Sequence, residues 1–293
     1  MSPAEYLAIQ QKEIESEIDR LAPPETENPA TIHRAMRYSL FAGGKRIRPI
    51  LCMEAGRAVR DDVTGLEAAA CSIEMIHTYS LIHDDLPAMD NDDFRRGKAT
   101  NHKVFGEAIA ILAGDALLTL AFEILSRLES PAEIRARLSR ELAEASGTRA
   151  GMIAGQVADI EGERQPPTPE LLESIHRAKT GALLRASLRM GAIWAEASDS
   201  QLEAVTAYGE HIGLAFQIID DILDVEESSA SLGKTAGKDA HQGKITFPAV
   251  YGLQRSREMA RAECDRAHAS LSPFGSRGQR LREIADMVVY RKS

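Results

Sequence analysis

Two aspartate-rich segments contain the residues whose types and spacing are best suited to chemistry. The first runs from Asp84 to Arg96 and holds five aspartates and two arginines. Within it, Pro87 lacks a backbone donor and should loosen the end of the preceding helix. We therefore expect Asp90 to fold back beside Asp84, so that two hard oxygen ligands face one site.

The second segment lies about 136 residues further along the chain and has the same chemistry. Its polar residues are spaced i, i+3, i+4 and i+7, so they share one stripe of a helix: Gln217, Asp220, Asp221 and Asp224. Three acids on an otherwise apolar helix repel one another unless cations intervene. A solvated amphipathic face is the alternative interpretation of this stripe.

Both segments supply carboxylates without histidine or cysteine ligands. Mg²⁺ favours such oxygen donors, retains several waters and commonly bridges protein carboxylates to substrate phosphates. The two segments therefore predict Mg²⁺ as the cofactor.

Basic residues accompany both acidic segments. Segment 43–49 places three cations at a glycine-hinged helix start, where backbone amides and the helix dipole favour anions. The glycine-rich segment 228–244 carries three more, namely Lys234, Lys238 and Lys244. Neither is a P-loop, because Ser39 and Ser228 stand where its first glycine is required. Either basic group alone is explained by surface solubility, but acidic and basic groups together indicate a metal-bridged polyphosphate ligand.

The elements that position these residues are predicted to be helical throughout. Ser2 to Glu5 form a capping box with proline at the first helical position. Strand patterns bounded by Asn-Gly or Asp-Gly turns are absent from the sequence. We predict an all-α protein with one domain over residues 1–293. Further helices are expected at about 30–42, 49–59, 65–86, 103–128, 131–146, 150–160, 169–195, 200–226, 247–271 and 279–291.

Composition excludes several classes of protein. The chain has 293 residues, a net charge of −9 and 44% hydrophobic residues, which is typical of a soluble globular protein and disfavours nucleic acid as a partner. The longest apolar stretch, 108–122, is interrupted by Asp115, so we expect no stable membrane insertion. The N-terminus shows neither a basic flank nor an apolar segment of the kind found in secretory signals.

The cysteines indicate a reducing compartment. Cys52, Cys71 and Cys264 are far apart and form no C-x-x-C pair, which argues against a disulfide scaffold and against a zinc site. We therefore expect a cytoplasmic protein with buried thiols.

The motifs resemble those of a known family. Segment 77–103 is similar to the first aspartate-rich motif of short-chain trans-polyprenyl diphosphate synthases, and segment 220–224 is similar to the second. The resemblance extends over about residues 30–255 and includes segment 43–49, Lys179-Thr180 and Gly233-Lys234. It implies an isoprenoid-synthase bundle of long helices around a central active-site cavity, usually as a homodimer.

The resemblance also implies roles for individual residues. The ligands of about three Mg²⁺ ions would be Asp84, Asp85, Asp90, Asp220 and Asp224. The allylic diphosphate would be held by Arg95, Lys179, Lys234 and Lys244, and isopentenyl diphosphate by Gly44, Lys45, Arg48, His77 and Arg96. The carbocation formed in the reaction would be stabilised by Lys179, Thr180 and Gln217. The released diphosphate would take the final proton, so no side-chain base is required.

Product length is expected to depend on the residues just before the first motif. Tyr79-Ser80, with two residues inserted in that motif, resembles bacterial farnesyl diphosphate synthases, whereas segments 91–93 and 235–239 are closer to plant-type geranylgeranyl synthases. We predict the fifteen-carbon product, with the twenty-carbon product as the alternative.

Two more distant alternatives are a terpene cyclase and a non-catalytic accessory subunit. A cyclase would not need the isopentenyl diphosphate site of Lys45, Arg48 and Arg96. An accessory subunit would have lost aspartates or basic anchors, and both motifs are intact here. Segment 228–244 is predicted to act as a lid over the bound diphosphate, and residues 290–292 to be a basic tail.

Overall fold

The computed structural model describes residues 1–162, 165–166, 168–230 and 246–290, without the side chains of 227–230. The chain forms two compact units, which are described separately. Unit 1 comprises Met1–Met53 and Asp62–Ser139, and unit 2 comprises Glu54–Asp61 and Arg140–Ser293. The single domain expected from the sequence stays a prediction.

The all-α prediction is confirmed. Over the described ranges, extended structure is confined to one antiparallel pair, β1 (Phe94–Arg95) and β2 (Lys98–Ala99). The helices up to the second half of the chain are α1 (Pro3–Leu21), α2 (Ala30–Leu40), α3 (Ile47–Val59), α4 (Leu66–Asp84), α5 (Asn101–Phe105), α6 (Glu107–Ser126) and α7 (Ala132–Ser146). They continue as α8 (Met152–Gly162), α9 (Pro169–His176), α10 (Ala182–Trp194), α11 (Asp199–Ala230), α12 (Phe247–Tyr251), α13 (Leu253–Ser270) and α14 (Gln279–Val289).

Two predicted helices are divided by glycine. The expected helix 103–128 ends at Gly106 and restarts as α6, and the expected helix 247–271 is divided at Gly252. Their φ angles are +85° and +78°, a region that residues with a Cβ rarely adopt. The sequence pattern is periodic on both sides of each glycine, so the periodicity alone could not show these breaks.

Unit 1 is organised around α4, which packs against α6, α1 and α2. The sequence of α4 is apolar around most of its circumference, as is typical of a buried helix, and most of its residues are buried. The approach of α6 to α4 depends on Gly114, because a Cβ there would lie 2.1 Å from Nε2 of His83. His83 Nε2 also lies 3.0 Å from the carbonyl of Ile111 on α6.

One described helix, α6, is long and apolar enough to cross a membrane by length and composition. Of its most apolar 18-residue window, 44% is buried inside the chain. A core helix of a soluble protein passes the same test, so this feature is weak evidence for a span. The expectation of no membrane insertion stays a prediction.

Unit 2 is organised around the 32-residue α11, which packs against α10, α13 and α14. Tyr208 on α11 is fully buried, and its hydroxyl donates to the carbonyl of Leu281 on α14 at 2.6 Å. The expected helix 169–195 is present as α9 and α10, joined by a single π-helical turn, Arg177–Gly181. A π turn widens the helix by one residue and is frequent at functional sites.

Candidate active site

The first aspartate-rich segment folds back on the end of α4, as the sequence predicted. The backbone N–H of Asp90 donates to the carbonyl of Asp84 at 2.9 Å, and that of Asn91 donates to the carbonyl of Leu86 at 3.1 Å. These bonds close a short loop around Pro87. They bring the backbones of the two predicted metal ligands, Asp84 and Asp90, together at the end of the helix.

Asp85 and Arg95 form a half-buried ion pair beside this loop. Nε of Arg95 donates to both carboxylate oxygens of Asp85 at 2.8 and 3.0 Å, and its terminal nitrogen lies 2.6 Å from Oδ1. Burial raises the pKa of the Asp85 carboxyl, and the hydrogen bond from Arg95 opposes this rise. Arg95 therefore holds Asp85 in place. The roles of Asp85 at the metal and of Arg95 at the diphosphate stay predictions.

The glycine-hinged segment lies against Arg96. Gly43 and Gly44 have φ of +97° and +131°, and a Cβ at Gly44 would lie 2.5 Å from a guanidinium nitrogen of Arg96. The same guanidinium donates to the carbonyl of Gly43. The absence of a side chain at Gly44 thus allows a cation to pack on the backbone. Gly44 and Arg96, which the family resemblance assigns to one ligand, are in contact.

Two of the three cations of segment 43–49, Lys45 and Arg46, have different environments, which corrects the sequence-based picture of one anion-binding group. Arg46 is buried, with its guanidinium 2.8 Å from Glu74 and 2.5 Å from the carbonyl of Leu40, so it neutralises an acid in the core. Lys45 is exposed. The sequence pattern could not distinguish the two, because the acid that pairs with Arg46 lies 28 positions away on another helix.

His77 lies in the same cationic environment. Burial, followed by the charges of Arg48 and Arg96, holds the pKa of its imidazole well below the ordinary value. The imidazole is therefore neutral at pH 7 and remains able to donate or accept a hydrogen bond. Its proximity to Arg48 and Arg96 agrees with the ligand set that the family resemblance implies.

The predicted chain-length residues lie on the last turns of α4. Tyr79 is 6% exposed, and its ring packs edge-on against His83 with centroids 5.7 Å apart. Its hydroxyl is buried and has no hydrogen-bond partner among the described residues. Burial, then the charge of Asp84, raises the pKa of the phenol to about 12. Ser80 donates to the carbonyl of His77 at 2.9 Å, so its hydroxyl is held against the helix.

Unit 2 carries the second aspartate-rich segment on α11. Asp220 is partly buried and Asp224 is exposed, whereas Asp221 is buried and accepts a hydrogen bond from the backbone N–H of Phe247 at 2.8 Å. Asp221 therefore holds the start of α12. The assignment of Asp220 and Asp224 to metal, which the family resemblance implies, stays a prediction.

Gln217 is held by a residue that the sequence analysis missed. Nδ1 of His176 donates to Oε1 of Gln217 at 2.9 Å, and the imidazole stacks on Phe247 with centroids 5.3 Å apart. Burial lowers the pKa of His176 to about 4, although the hydrogen bond to Gln217 opposes this. His176 is 41 positions from Gln217 on another helix, so spacing within one helix gave no signal for the pair.

Lys179 and Thr180 lie on the π turn. Lys179 Nζ is paired with the carboxylate of Asp159 on α8 at 2.6 Å. A Cβ at Gly155, also on α8, would lie 2.1 Å from the backbone nitrogen of Lys179. The π turn therefore packs directly on the backbone of α8. Binding of a diphosphate by Lys179 would require its side chain to exchange Asp159 for the ligand.

The donor set of the two aspartate-rich segments fits Mg²⁺ better than a softer ion. All donors are oxygens, and within the described residues neither segment belongs to a group of three ligand atoms that lie within 4.8 Å of one another. Mg²⁺ is commonly held by only one or two protein carboxylates, because it keeps waters and takes substrate phosphate oxygens as further ligands.

Lys234, Lys244 and the predicted lid 228–244 lie outside the described residues, apart from the helical backbone of 228–230.

An all-α fold with two aspartate-rich segments is typical of isoprenoid synthases. A family model described as polyprenyl synthetase matches residues 29–273, and the chain belongs to this family. It is therefore a prenyltransferase of the farnesyl and geranylgeranyl diphosphate synthase group, with isoprenoid diphosphates as substrates.

Similar proteins carry both product names. The chain is 46% identical to farnesyl diphosphate synthase of Geobacillus stearothermophilus, over 99% of this chain and 98% of that protein. It is 48% identical to the large subunit 1 of a heterodimeric geranylgeranyl pyrophosphate synthase of Arabidopsis thaliana, over 98% and 79%. A crystal structure of an FPP/GFPP synthase from Zymomonas mobilis matches with a TM-score of 0.86 and 39% identity, over 98% and 99% of the two chains.

Proposed function

We propose that the protein condenses isopentenyl diphosphate with dimethylallyl and then geranyl diphosphate, and that it releases (2E,6E)-farnesyl diphosphate. This proposal rests on the burial of Tyr79 on the last turns of α4, just before Asp84. A bulky side chain there closes the space in which a growing prenyl chain would extend. The relative from Geobacillus stearothermophilus, named a farnesyl diphosphate synthase, supports the same product.

The reaction begins when the allylic carbon–oxygen bond breaks to give diphosphate and a delocalised carbocation. Asp84, Asp90, Asp220 and Asp224 would hold Mg²⁺, the cofactor we propose, which would supply charge stabilisation to the departing diphosphate. Asp85 supports this set through its ion pair with Arg95. Arg95 and Lys179 provide further positive charge, and Lys234 and Lys244 are proposed to join them.

The proposed site for isopentenyl diphosphate combines cationic and neutral groups, whereas the carbocation is stabilised by neutral groups alone. We assign isopentenyl diphosphate to Gly44, Lys45, Arg48 and Arg96, with His77 contributing a neutral hydrogen-bonding ring. The Gln217 oxygen, oriented by His176, and the carbonyl and hydroxyl groups of the π turn direct negative dipole ends toward the carbocation. The π electrons of isopentenyl diphosphate form the new bond, and the released diphosphate takes the proton.

The direct test is product analysis with isopentenyl diphosphate and, separately, dimethylallyl or geranyl diphosphate, with and without Mg²⁺. Metal-dependent farnesyl diphosphate is expected from both starters. A geranylgeranyl product would retain the mechanism and contradict the product length. That alternative is favoured by the Arabidopsis thaliana relative. Absence of condensation would favour a terpene cyclase or an accessory subunit.

The Tyr79→Ala variant tests the residue that sets the length. Removing the ring opens space below the first motif, so the main product should lengthen from fifteen to twenty carbons or more. Tyr79→Phe is the matched control, since it keeps the ring and removes a hydroxyl that has no partner among the described residues. An unchanged distribution in Tyr79→Ala would show that another side chain limits the chain length.

We also propose that the enzyme works in the cytoplasm as a homodimer. The three buried free thiols support a reducing compartment. The exposed apolar side chains of Ile111 and Leu112 on α6 support a partner surface on unit 1.

A further inference from the structure

Unit 2 contains a second cluster of metal-ligand side chains, and none of its members belongs to the candidate active site. Cys264 and His268 lie one turn apart on α13, and Asp286 lies on the adjacent α14. Sγ of Cys264 is 3.9 Å from Nε2 of His268 and 3.7 Å from Oδ1 of Asp286, and the latter two atoms are 3.2 Å apart. Three different ligand types thus converge from two helices.

These distances are close to those of a tetrahedral metal site. Zinc bonds of about 2.3 Å to sulfur and about 2.0 Å to nitrogen and oxygen, at the tetrahedral angle, place sulfur about 3.5 Å from the other two ligands. The same geometry places nitrogen and oxygen about 3.3 Å apart. The observed triangle therefore needs shifts of only a few tenths of an ångström to accept an ion.

The hydrogen-bonding capacity of the cluster also favours a cation. Nε2 of His268 lies 3.2 Å from Oδ1 of Asp286, 3.2 Å from the carbonyl of Arg282 and 3.9 Å from Sγ of Cys264. At most one proton on the imidazole nitrogen and one on the sulfur are available for these electron-rich atoms. A divalent ion bound by the imidazole nitrogen, the carboxylate and the thiolate would satisfy these three side chains together.

The cluster is open to solvent on one side. Cys264 is 3% exposed, whereas the side chains of His268 and Asp286 are 31% and 50% exposed. An ion can therefore enter from solvent and keep a water as its fourth ligand, with the sulfur forming the buried floor.

We propose that Cys264, His268 and Asp286 form a site for Zn²⁺ or a similar borderline-soft divalent ion, which clamps α13 to α14. Thiolate and imidazole ligands select such ions over Mg²⁺. The lack of a C-x-x-C pair in the sequence argues against a zinc site built from two cysteines. It does not exclude a Cys–His pair at i, i+4 that a carboxylate from another helix completes.

Co²⁺ is the probe for this site, added to the reduced full-length protein in place of Zn²⁺. We expect a thiolate-to-cobalt charge-transfer band that saturates at one equivalent, together with the visible bands of tetrahedral cobalt. Cys264→Ser should abolish the charge-transfer band. His268→Gln and Asp286→Asn should each weaken cobalt binding by about tenfold or more. Cys52→Ala and Cys71→Ala are matched controls at buried thiols and should keep the band.

The outcome is independent of the proposed prenyl transfer, because the aspartate-rich segments hold no cysteine and cannot give a thiolate-to-cobalt band. Absence of the band in the unmodified protein would overturn the proposal, as would its persistence in Cys264→Ser. A band lost in Cys264→Ser but unaffected in both His268→Gln and Asp286→Asn would indicate a single-cysteine adduct and would also overturn it. Added Zn²⁺ should raise the Tm of the unmodified protein and leave that of His268→Gln unchanged.

Discussion

At the scale of single residues, the side chains expected to meet substrate are held by polar partners from other parts of the sequence. Gln217 is oriented by His176, Asp85 by Arg95, and Arg96 by the backbone at Gly43 and Gly44. Each contact fixes one rotamer of a group that must point at a charge. Catalytic stabilisation depends on such preorganisation, because dipoles that are already oriented need no rearrangement during the reaction.

His176 gives the protein a pH dependence with a defined sign. Its pKa is about 4 in the fold and about 6.5 in the unfolded chain, so between these values only the unfolded chain takes up the proton. The stability that the neutral His176 contributes is therefore fully present above pH 6.5 and is lost as the pH falls toward 4. From pH 7.5 to pH 5 this single group should lower the free energy of unfolding by about 2 kcal/mol.

The measurement is urea unfolding of the protein and of His176→Asn at both pH values. The asparagine amide can donate to Gln217 but does not titrate, so the variant should lose about 2 kcal/mol less on acidification. Other groups, including His77, contribute equally to both proteins and cancel in the comparison. Equal losses in the two proteins would contradict the assignment.

The Asp85–Arg95 pair should be important for stability as well as for activity. Asp85 is 3% exposed, so Arg95→Leu would leave a buried carboxylate without its counter-ion. We expect a loss of about 3 kcal/mol in the free energy of unfolding at pH 7. The double variant Asp85→Leu/Arg95→Leu should recover much of this loss while remaining inactive. A double variant no more stable than Arg95→Leu would show that the pair is not the cause.

At the scale of elements, the π turn Arg177–Gly181 connects several parts of unit 2. It lies where α8, α9, α10 and α11 meet. Glycines permit this crowding, since a Cβ at Gly155 would meet the backbone of Lys179 and one at Gly213 would lie 3.2 Å from Cα of Gly181. The position of the Lys179 carbonyl is thus determined by small residues on two neighbouring helices.

Gly155→Ala should therefore impair both stability and catalysis. Its Cβ would be 2.1 Å from the Lys179 nitrogen and 2.5 Å from its Cα, and backbone atoms cannot move aside as a side chain does. We expect a loss of about 1–3 kcal/mol, as for other overpacked sites, with a fall in kcat. Gly213→Ala is the control and should have a smaller effect, because its Cβ would lie 3.2 Å from the nearest backbone atom. Steady-state kinetics give kcat, and urea unfolding gives the free energy of unfolding. Equal effects of the two variants would argue against a specific clash at Gly155.

The sequence predicted those features that depend on neighbours along the chain. The capping box at Ser2, the buried α4 and the return of Asp90 to Asp84 follow from local pattern, and the structure contains all three. Features that depend on packing between elements were missed or misassigned. Arg46 faces Glu74, and His176 meets Gln217, through contacts between helices that periodicity along a single helix cannot encode.

At the scale of the whole molecule, unit 1 holds the first aspartate-rich segment and the contact of Arg96 with Gly43 and Gly44, and unit 2 holds the second segment and the π turn. The net charge of −9 disfavours contact with anionic surfaces, although both substrates are anions. We therefore expect local groups of arginine and lysine to attract diphosphate against the overall charge. Substrate affinity should consequently depend on these few cations and not on the mean field of the protein.

The exposed apolar face of α6 predicts that the protein self-associates. Helix α6 is strongly apolar, yet less than half of its most apolar window is buried within the chain, and Leu112 on it is 53% exposed. A surface of this kind needs a cover, and a homodimer supplies one. Sedimentation should give twice the 32.0 kDa chain mass, and Leu112→Glu should shift the protein toward monomer.

Ile9→Glu is the matched control, because Ile9 is an exposed apolar residue on α1, at 46% exposure. Its mass should remain that of the dimer, since one charge at a position outside the interface leaves the apolar face of α6 paired. A monomeric mass for the unmodified protein would contradict the dimer. Cosedimentation of that monomer with lipid vesicles, lost in Leu112→Glu, would then identify a membrane surface as the cover of α6. A dimer unaffected by Leu112→Glu would place the interface on another face of the molecule.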